Sequence, residues 1–276
     1  MPLTTAQKRA AFRSLHASGC FVLPNPWDIG SARLLQHLGF AALASTSSGY
    51  AWSTGRADYA VTRDDVLQHL TALSAAVDLP INADFESGFA TEPEQVAANV
   101  SLAIQTGIAG LSIEDRDLRT PTQLYDAPLA LQRMRAARTA IDAAGGDVLL
   151  VARTEGLLLD RGAVQPAIER LVAFAEAGAD CLFAPGVTKA DDIAAMVRAV
   201  APKPLNVLVL DPGQTLAQLR DLGVRRLSVG GALARSAWAG TLSAARQLQV
   251  GSFAALASAT PGRELNEIFR ALAQHG

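Results

Sequence analysis

Eight short runs of apolar and β-branched residues recur along the chain, and a longer segment with helical spacing follows each of them. This regular alternation is typical of parallel α/β proteins, in which a helix carries the chain back to the start of the next strand. Eight strands in one unbroken series favour a single (β/α)8 TIM barrel, and an open doubly wound sheet is the alternative. The predicted strands are Cys20–Leu23, Ala41–Thr46, Ile81–Asp84, Gly110–Glu114, Val148–Arg153, Cys181–Ala184, Leu205–Leu208 and Arg226–Val229.

The length agrees with one barrel, since (β/α)8 domains of about 250 residues are common and this chain has 276. No linker rich in Pro or Ser divides it, so residues 1–276 are predicted to form a single barrel domain. Residues 1–18 are assigned to an N-terminal helix and residues 250–276 to an extra C-terminal region. That region contains an amphipathic helix, Glu264–Ala273, which a simple barrel does not need and which another subunit could cover.

Charge and cysteine content exclude several classes of protein. The formal net charge is −2, so the chain offers no basic surface for nucleic acid. No apolar run approaches the length of a membrane span, and we therefore predict neither a nucleic-acid nor a membrane partner. Cys20 and Cys181 each lie in an apolar, strand-like run, which favours free thiols and a cytoplasmic location over a disulfide.

The third predicted strand leads into the sequence INADFESGFA, which concentrates polar groups on one face. Side chains alternate along a strand, so Asn82, Asp84 and Glu86 share a face. Two buried carboxylates beside an amide are unfavourable unless a partner satisfies them. A hard divalent cation such as Mg²⁺ is one such partner. The alternative is that these acids cap the next helix or pair with arginines.

Other predicted strand ends supply more oxygen ligands and an arginine. In a barrel these ends meet at one mouth, where working residues lie. Asp58, Glu114 and Arg153 occupy such positions, and no histidine or lysine does, which argues against a histidine base or a Schiff-base lysine. The turn Ser48–Tyr50 offers hydroxyl and backbone N–H groups to a carboxylate. The alternatives are an ordinary Glu114–Arg153 ion pair, a solvated Asp58 and a simple small-residue turn.

Together these motifs resemble the isocitrate lyase and phosphoenolpyruvate mutase superfamily. The similarity extends from NPWDIGSAR near the N-terminus to ELNEIFR near the C-terminus, and its most specific parts are DFESGF, SIED and VARTE. The resemblance implies that Asp84 binds Mg²⁺, with Mn²⁺ as the alternative ion, and that Asp58, Glu86 and Glu114 act mostly through metal-bound waters. It also implies that Ser48, Gly49 and Tyr50 grip a substrate carboxylate and that Arg153 binds the developing oxyanion. The family exchanges its last barrel helix between subunits, which implies a helix-swapped homodimer or homotetramer.

Two departures from the family pattern limit what the resemblance implies. Asn82 stands where many members carry a second aspartate. The loop Arg116–Pro128 contains no cysteine, histidine or lysine, whereas isocitrate and methylisocitrate lyases carry a Lys-x-Cys-Gly-His run there. We predict that this loop is a mobile lid and that Tyr125 is its candidate proton donor. The alternative for Tyr125 is an anchor that holds the loop by packing.

The expected activity is a Mg²⁺-dependent carbon–carbon lyase acting on a small anionic 2-hydroxy or 2-oxo dicarboxylate through an enolate, with a 2-oxo acid as ligand or product. Isocitrate lyase, methylisocitrate lyase and oxaloacetate decarboxylase are the reactions it would resemble. Carbon–phosphorus chemistry on phosphonopyruvate is one alternative. A 2-oxo acid-binding protein with little turnover is the other.

Overall fold

The computed structural model describes residues 2–120 and 122–273 and shows eight parallel strands joined by helices. The strands are β1 (Phe21–Leu23), β2 (Leu43–Ala44), β3 (Ile81–Asp84), β4 (Gly110–Glu114), β5 (Leu149–Arg153), β6 (Cys181–Phe183), β7 (Leu205–Leu208) and β8 (Arg226–Ser228). Every predicted strand is present, although β2 is shorter than expected. The sheet order runs from β1 to β8 and then back in sequence to β2.

The gap between β1 and β2 is bridged just beyond the regular pairing. The backbone N–H of Ala44 donates to the carbonyl of Pro24 at 3.0 Å. The side-chain amide of Asn25 donates to the carbonyl of Ser45, also at 3.0 Å. These contacts nearly close the sheet on itself, so the predicted (β/α)8 barrel is confirmed and the open sheet is wrong.

Helices lie before the first strand, between the strands and after the last one. They are α1 (Thr5–Ala17), α2 (Ile29–His37), α3 (Ser47–Ser53), α4 (Arg63–Ala76), α5 (Pro93–Gln105), α6 (Ala127–Ala143), α7 (Gly156–Leu159), α8 (Val164–Glu176), α9 (Ala190–Val200), α10 (Leu216–Asp221), α11 (Ala232–Gln249) and α12 (Gly262–Ala273). Side-chain caps begin several of them, as where Asp28 accepts from the N–H of Ser31 at 2.7 Å. Gly107 and Gly178 adopt φ of 87° and 103° just after α5 and α8, which is the left-handed conformation that closes a helix.

The N-terminal helix α1 packs across the end of the barrel where the strands begin. Phe12 is fully buried in a cluster with Leu23, Ala109 and Leu149. A Cβ at Gly110 would lie 2.7 Å from the Phe12 ring, so the close approach of this helix requires glycine at the start of β4. The predicted N-terminal helix therefore forms the lower cover of the barrel.

The C-terminal helices leave an apolar surface on this chain. Within α11 only Ala234 is buried, while Trp238 and Leu242 remain 41% and 52% exposed. The predicted extra helix is present as α12, beside α2, and the C-terminal region is described only as far as residue 273. Exchange of helices between subunits stays a prediction. None of the helices in the described part of the chain is both long enough and apolar enough to cross a membrane.

Candidate active site

A cavity of about 150 Å³ opens at the ends of the strands, and all eight strands contribute to its lining. Seven strands supply a residue from their end or from the segment directly after it, and β4 supplies one from its middle. These residues are Asn25, Ser45, Asp84, Ser112, Arg153, Phe183, Leu208 and Ser228. Most of them are polar, which is unusual for the inside of a barrel and identifies this end as the working face.

Arg153, the last residue of β5, is a cation at the mouth of this cavity. Its Nε lies 2.6 Å from Glu155 Oε1 and 3.3 Å from Glu114 Oε2. Its Nη1 lies 3.4 Å from Asp84 Oδ1. Burial acts to lower the pKa of Arg153, but the three carboxylates outweigh it and raise that pKa well above its ordinary value. The predicted arginine is therefore a fixed, fully charged group at the pocket.

Asp84 joins the end of β3 to the segment after β2. Its Oδ2 accepts a hydrogen bond from the backbone N–H of Ser47 at 3.0 Å. Its own N–H donates to the hydroxyl of Ser45 at 2.8 Å. These contacts orient the carboxylate toward the cavity, where its other oxygen lies near Arg153. The structure thus brings together the two residues that the sequence marks as the metal ligand and the oxyanion contact.

Three further acids surround this pair with negative charge. Glu86 is 4% exposed, and its Oε1 has no hydrogen-bond partner among the described residues. Burial, with the charges of Asp84, Glu114 and Asp58, raises the pKa of Glu86 from 4.5 to about 8. Burial also raises the pKa of Glu114. The pKa of Asp58, at the rim, is raised mainly by burial and further by the charge of Asp84. The positive charge of Arg153 lowers the pKa of Glu86, Glu114 and Asp58 but does not offset these effects.

These oxygen donors fit a hard divalent cation, and the acids would be better satisfied with such an ion bound than without it. A cation would satisfy the unpartnered oxygen of Glu86 and reduce the repulsion among the acids. No group of three or more His, Cys, Asp or Glu side chains in the described part of the chain is arranged to hold a metal directly. Mg²⁺ usually keeps several of its waters and is held by one or two carboxylates, so it does not require such a group. Occupancy by Mg²⁺ stays a prediction.

The raised carboxyl pKa predicts how stability depends on pH without metal. Between the ordinary value of 4.5 and the folded value of about 8, native Glu86 keeps a proton that the unfolded chain has lost. The free energy of unfolding in EDTA should therefore fall as pH rises through that window. Urea denaturation at several pH values measures this, and Glu86→Gln should flatten the profile. If the free energy of unfolding of the wild type stays constant over this pH window, Glu86 is not surrounded by uncompensated acids in the folded protein.

The segment Ser48–Tyr50 differs from the open turn that the sequence suggested. It forms the first turn of α3, and the N–H groups of Gly49 and Tyr50 are bonded to the side chain and the carbonyl of Thr46. The Tyr50 ring stacks on His69, with ring centroids 3.9 Å apart. Of the three predicted residues only Ser48 lines the cavity. The expectation of free backbone donors at Gly49 and Tyr50 is wrong, because the helix and its cap already use them.

Tyr125 also lies away from the cavity. It is fully buried, its ring is 4.1 Å from the Arg133 guanidinium, and its hydroxyl contacts Thr91 Oγ1 at 3.3 Å and accepts from the N–H of Leu118 at 3.2 Å. It is not among the residues that line the cavity. These contacts correspond to the anchoring role rather than to a proton donor. The loop itself closes through an antiparallel bridge between Arg116 and Leu124; its Pro121 lies outside the described residues, and the lid stays a prediction.

Tyr125→Phe is accordingly expected to cost about 1 kcal/mol of stability, because it removes one modest set of hydrogen bonds, and to leave kcat within about twofold of wild type. Denaturation and steady-state kinetics measure the two effects. The same substitution at Tyr59 provides the comparison and should slow turnover more. Loss of most of the activity in Tyr125→Phe, with stability unchanged, would show that this hydroxyl takes part in the reaction.

Tyr59 is the site residue that the sequence did not reveal. Its hydroxyl donates to Glu114 Oε1 at 2.9 Å, and its side chain lines the cavity. The Arg116 guanidinium lies over its ring at 5.0 Å. Tyr59 and Glu86 both have positive φ, of 63° and 46°, a strained conformation for residues other than glycine. The only sequence signal was its place next to Asp58.

A buried network behind the cavity fixes the ends of β4 and β5. Asp115 is fully buried and accepts from the Thr154 hydroxyl at 2.8 Å and from the N–H of Glu155 at 2.9 Å. Arg170 Nη1 lies 3.2 Å from Asp115 Oδ2, the oxygen that also accepts from Thr154. The neighbouring residues Glu114 and Asp115 thus have different partners: Glu114 contacts Tyr59 and Arg153, and Asp115 contacts this support. The network holds Glu155 where it can pair with Arg153.

Comparison with known proteins places this architecture in a family. The model of the phosphoenolpyruvate phosphomutase family matches residues 12–249. A protein of Burkholderia cenocepacia J2315 with a known crystal structure is 46% identical, with a TM-score of 0.93, and the match covers 96% of this chain and 97% of that one. The crystal structure of 2,3-dimethylmalate lyase, a member of the PEP mutase/isocitrate lyase superfamily, is 27% identical and covers 99% of both chains with a TM-score of 0.85. The 2-methylisocitrate lyase of Escherichia coli (strain K12) is 33% identical over 196 residues, which are 64% of this chain and 64% of that protein.

The fold and the acidic strand ends define a (β/α)8 barrel of the isocitrate lyase and phosphoenolpyruvate mutase superfamily. The chain belongs to the phosphoenolpyruvate phosphomutase family, which confirms the superfamily that its motifs predicted.

Proposed function

We propose that this protein is a Mg²⁺-dependent lyase that cleaves a carbon–carbon bond of a small 2-hydroxy or 2-oxo dicarboxylate through an enolate and releases a 2-oxo acid. The observation that supports this best is the juxtaposition of Arg153 and Asp84 at a small polar cavity, 3.4 Å apart. A cavity of about 150 Å³ suits an acid of a few carbons rather than a nucleotide. Two of the similar proteins are named as lyases.

Arg153 performs the central electrostatic task in this proposal. Glu155 and Glu114 hold its Nε and Asp84 lies near its Nη1, which leaves Nη2 of the guanidinium for the substrate. A rigid guanidinium fork placed where negative charge develops stabilises an enolate without reorganising during the reaction. Ser48 supplies a hydroxyl at the same cavity for the substrate carboxylate.

Asp84 would hold the Mg²⁺ ion directly, with Asp58, Glu86 and Glu114 around it, and Mn²⁺ is the alternative ion. When bound, the cation supplies Lewis-acid polarisation of a substrate oxygen and neutralises part of the charge that develops there. The chain's own contribution is to orient Asp84 through its contacts with Ser47 and Ser45.

The reaction also needs a proton donor. This chain lacks the loop cysteine that isocitrate and methylisocitrate lyases carry, so another group must donate the proton. Asp117 in the loop pairs with Arg119 at 2.8 Å, which lowers its pKa and keeps it ionised. The Tyr59 hydroxyl lines the cavity and is the better candidate donor. Closure of the loop over the substrate would exclude water around it.

A second candidate is carbon–phosphorus chemistry on phosphonopyruvate, which the matching family model favours. An assay with Mg²⁺ on isocitrate, methylisocitrate, oxaloacetate and phosphonopyruvate separates the candidates, with a parallel series in EDTA. We expect Mg²⁺-dependent release of a 2-oxo acid from one of the carbon acids. Turnover of phosphonopyruvate alone would favour the second candidate, and tight binding of pyruvate without any turnover would indicate a binding protein.

A further inference from the structure

The floor of the cavity carries a buried arginine that has only uncharged contacts among the described residues. Arg226, the first residue of β8, lines the cavity and is 2% exposed. Its Nε donates to Asn206 Oδ1 at 2.8 Å, and its Nη1 lies 3.3 Å from Asn82 Oδ1 and 3.4 Å from His16 Nε2. Burial and the nearby Arg226 lower the pKa of His16 to about 3, so this histidine is neutral.

Such a position is unfavourable for a permanently charged side chain. Arginine does not give up its proton in proteins, and burial without a counter-charge leaves its lost hydration uncompensated. Two other arginines of this barrel have different surroundings. Arg153 faces three carboxylates, whereas Arg133 donates to the backbone carbonyls of Ser87, Ala90 and Thr91 and is not among the residues that line this cavity. Arg226 combines a cavity position with an unbalanced charge.

The geometry also leaves part of the guanidinium available to a ligand. The hydrogen bonds of Arg226 use Nε and Nη1, and Nη2 has no acceptor among the residues that the structure describes. Asn206 is itself held in place, because its amide donates to the Ser228 hydroxyl at 3.0 Å. The guanidinium is therefore fixed on one side and open on the side of the cavity.

We infer that Arg226, supported by Asn206 and Asn82, is an anion site at the floor of the cavity that receives the second carboxylate of the substrate. This inference rests on the proposed function, in which the reacting end of the substrate lies at Asp84 and Arg153. Asn82 precedes Asp84 by two residues on β3, so the floor lies roughly 7 Å deeper along the strand. A four-carbon diacid, with three C–C bonds of about 1.5 Å and an oxygen at each end, can bridge that depth.

The inference gives a physical reason for the amide at position 82. An aspartate there would lie against Arg226 and neutralise it, so the guanidinium would have little charge left for a ligand. Asn82 instead accepts a hydrogen bond without adding charge. Asn82, which stands where many family members carry a second aspartate, is thus a determinant of specificity for diacids over monoacids.

Calorimetric titration of the Mg²⁺-loaded protein with malate and with lactate tests the site, because these 2-hydroxy acids differ in the presence of the distal carboxylate. Wild type should bind malate at least tenfold more tightly than lactate. Arg226→Gln should remove that preference by weakening malate alone. Asn82→Asp should do the same while keeping the arginine. Arg225→Gln is the matched control, since Arg225 donates to the carbonyl of Gly19 at 2.8 Å and lines no part of this cavity.

The outcomes separate this inference from the proposed function. If Arg226→Gln fails to fold, as judged by circular dichroism, Asn82→Asp decides the question. A malate preference that persists in the variants that fold overturns the floor site. Equal affinities of wild type for both acids, lost together in Asp84→Ala, overturn the floor site and leave the proposed function in place. If wild type binds neither acid, both are overturned.

Discussion

Asp84→Ala is expected to abolish Mg²⁺ binding while the barrel remains folded. In the proposed function Asp84 is the direct ligand of the ion, and its carboxylate lies at the cavity between Ser47 and Arg153. Glu86 and Glu114 are proposed to act through metal-bound waters, so neither is expected to replace it. Titration calorimetry with Mg²⁺ measures the loss, and a cooperative thermal transition shows that the fold is retained.

A matched control keeps this result interpretable. Asp142 lies on α6, pairs with Arg138 at 2.7 Å and has a side chain that is 62% exposed. Asp142→Ala removes an equivalent carboxylate and should leave Mg²⁺ affinity unchanged, because surface ion pairs contribute little. Unaltered Mg²⁺ affinity in Asp84→Ala would show that the ion, if it binds, uses another site.

Arg153→Lys is expected to lower kcat/KM at least tenfold, equivalent to about 1.4 kcal/mol of transition-state stabilisation. Lysine preserves the charge that the buried Glu114 and Glu155 require, so the fold should survive. It cannot reproduce a planar fork that contacts both acids through Nε, contacts Asp84 through Nη1 and presents Nη2 to the substrate. Steady-state kinetics on the substrate found in the panel assay provide the measurement.

The control for this variant is Arg263→Lys on α12, where the arginine side chain is 89% exposed and pairs with Glu267. It should have wild-type kinetics. Wild-type kcat/KM in Arg153→Lys as well would remove Arg153 from the oxyanion contact and reduce it to a structural partner of the acids.

The strands and the pairing of Asp84 with Arg153 were predictable from the sequence. Short apolar runs separated by helical patterns mark each strand, and parallel strands of a barrel end at one mouth. Residues at those ends must therefore meet, although they lie far apart along the chain. This reasoning needs only the order of the elements and not their detailed packing.

The loops and the barrel interior were harder to predict from the sequence, for physical reasons. Tyr125 lies in a polar loop without periodicity, so nothing in the sequence showed that its ring packs on Arg133. Tyr59 reaches Glu114 through a backbone turn with positive φ that no motif marks. Arg226 follows Arg225, and side-chain alternation alone does not say which arginine faces inward. Tertiary packing decided each of these cases.

The most direct test of the account is a crystal structure of the protein with Mg²⁺ and oxalate, a small anion with the two adjacent oxygen groups that the cavity is proposed to bind. We expect metal density in contact with Asp84 and oxalate between that ion and the guanidinium of Arg153. Oxalate elsewhere on the molecule, or a cavity without metal at saturating Mg²⁺, would contradict it.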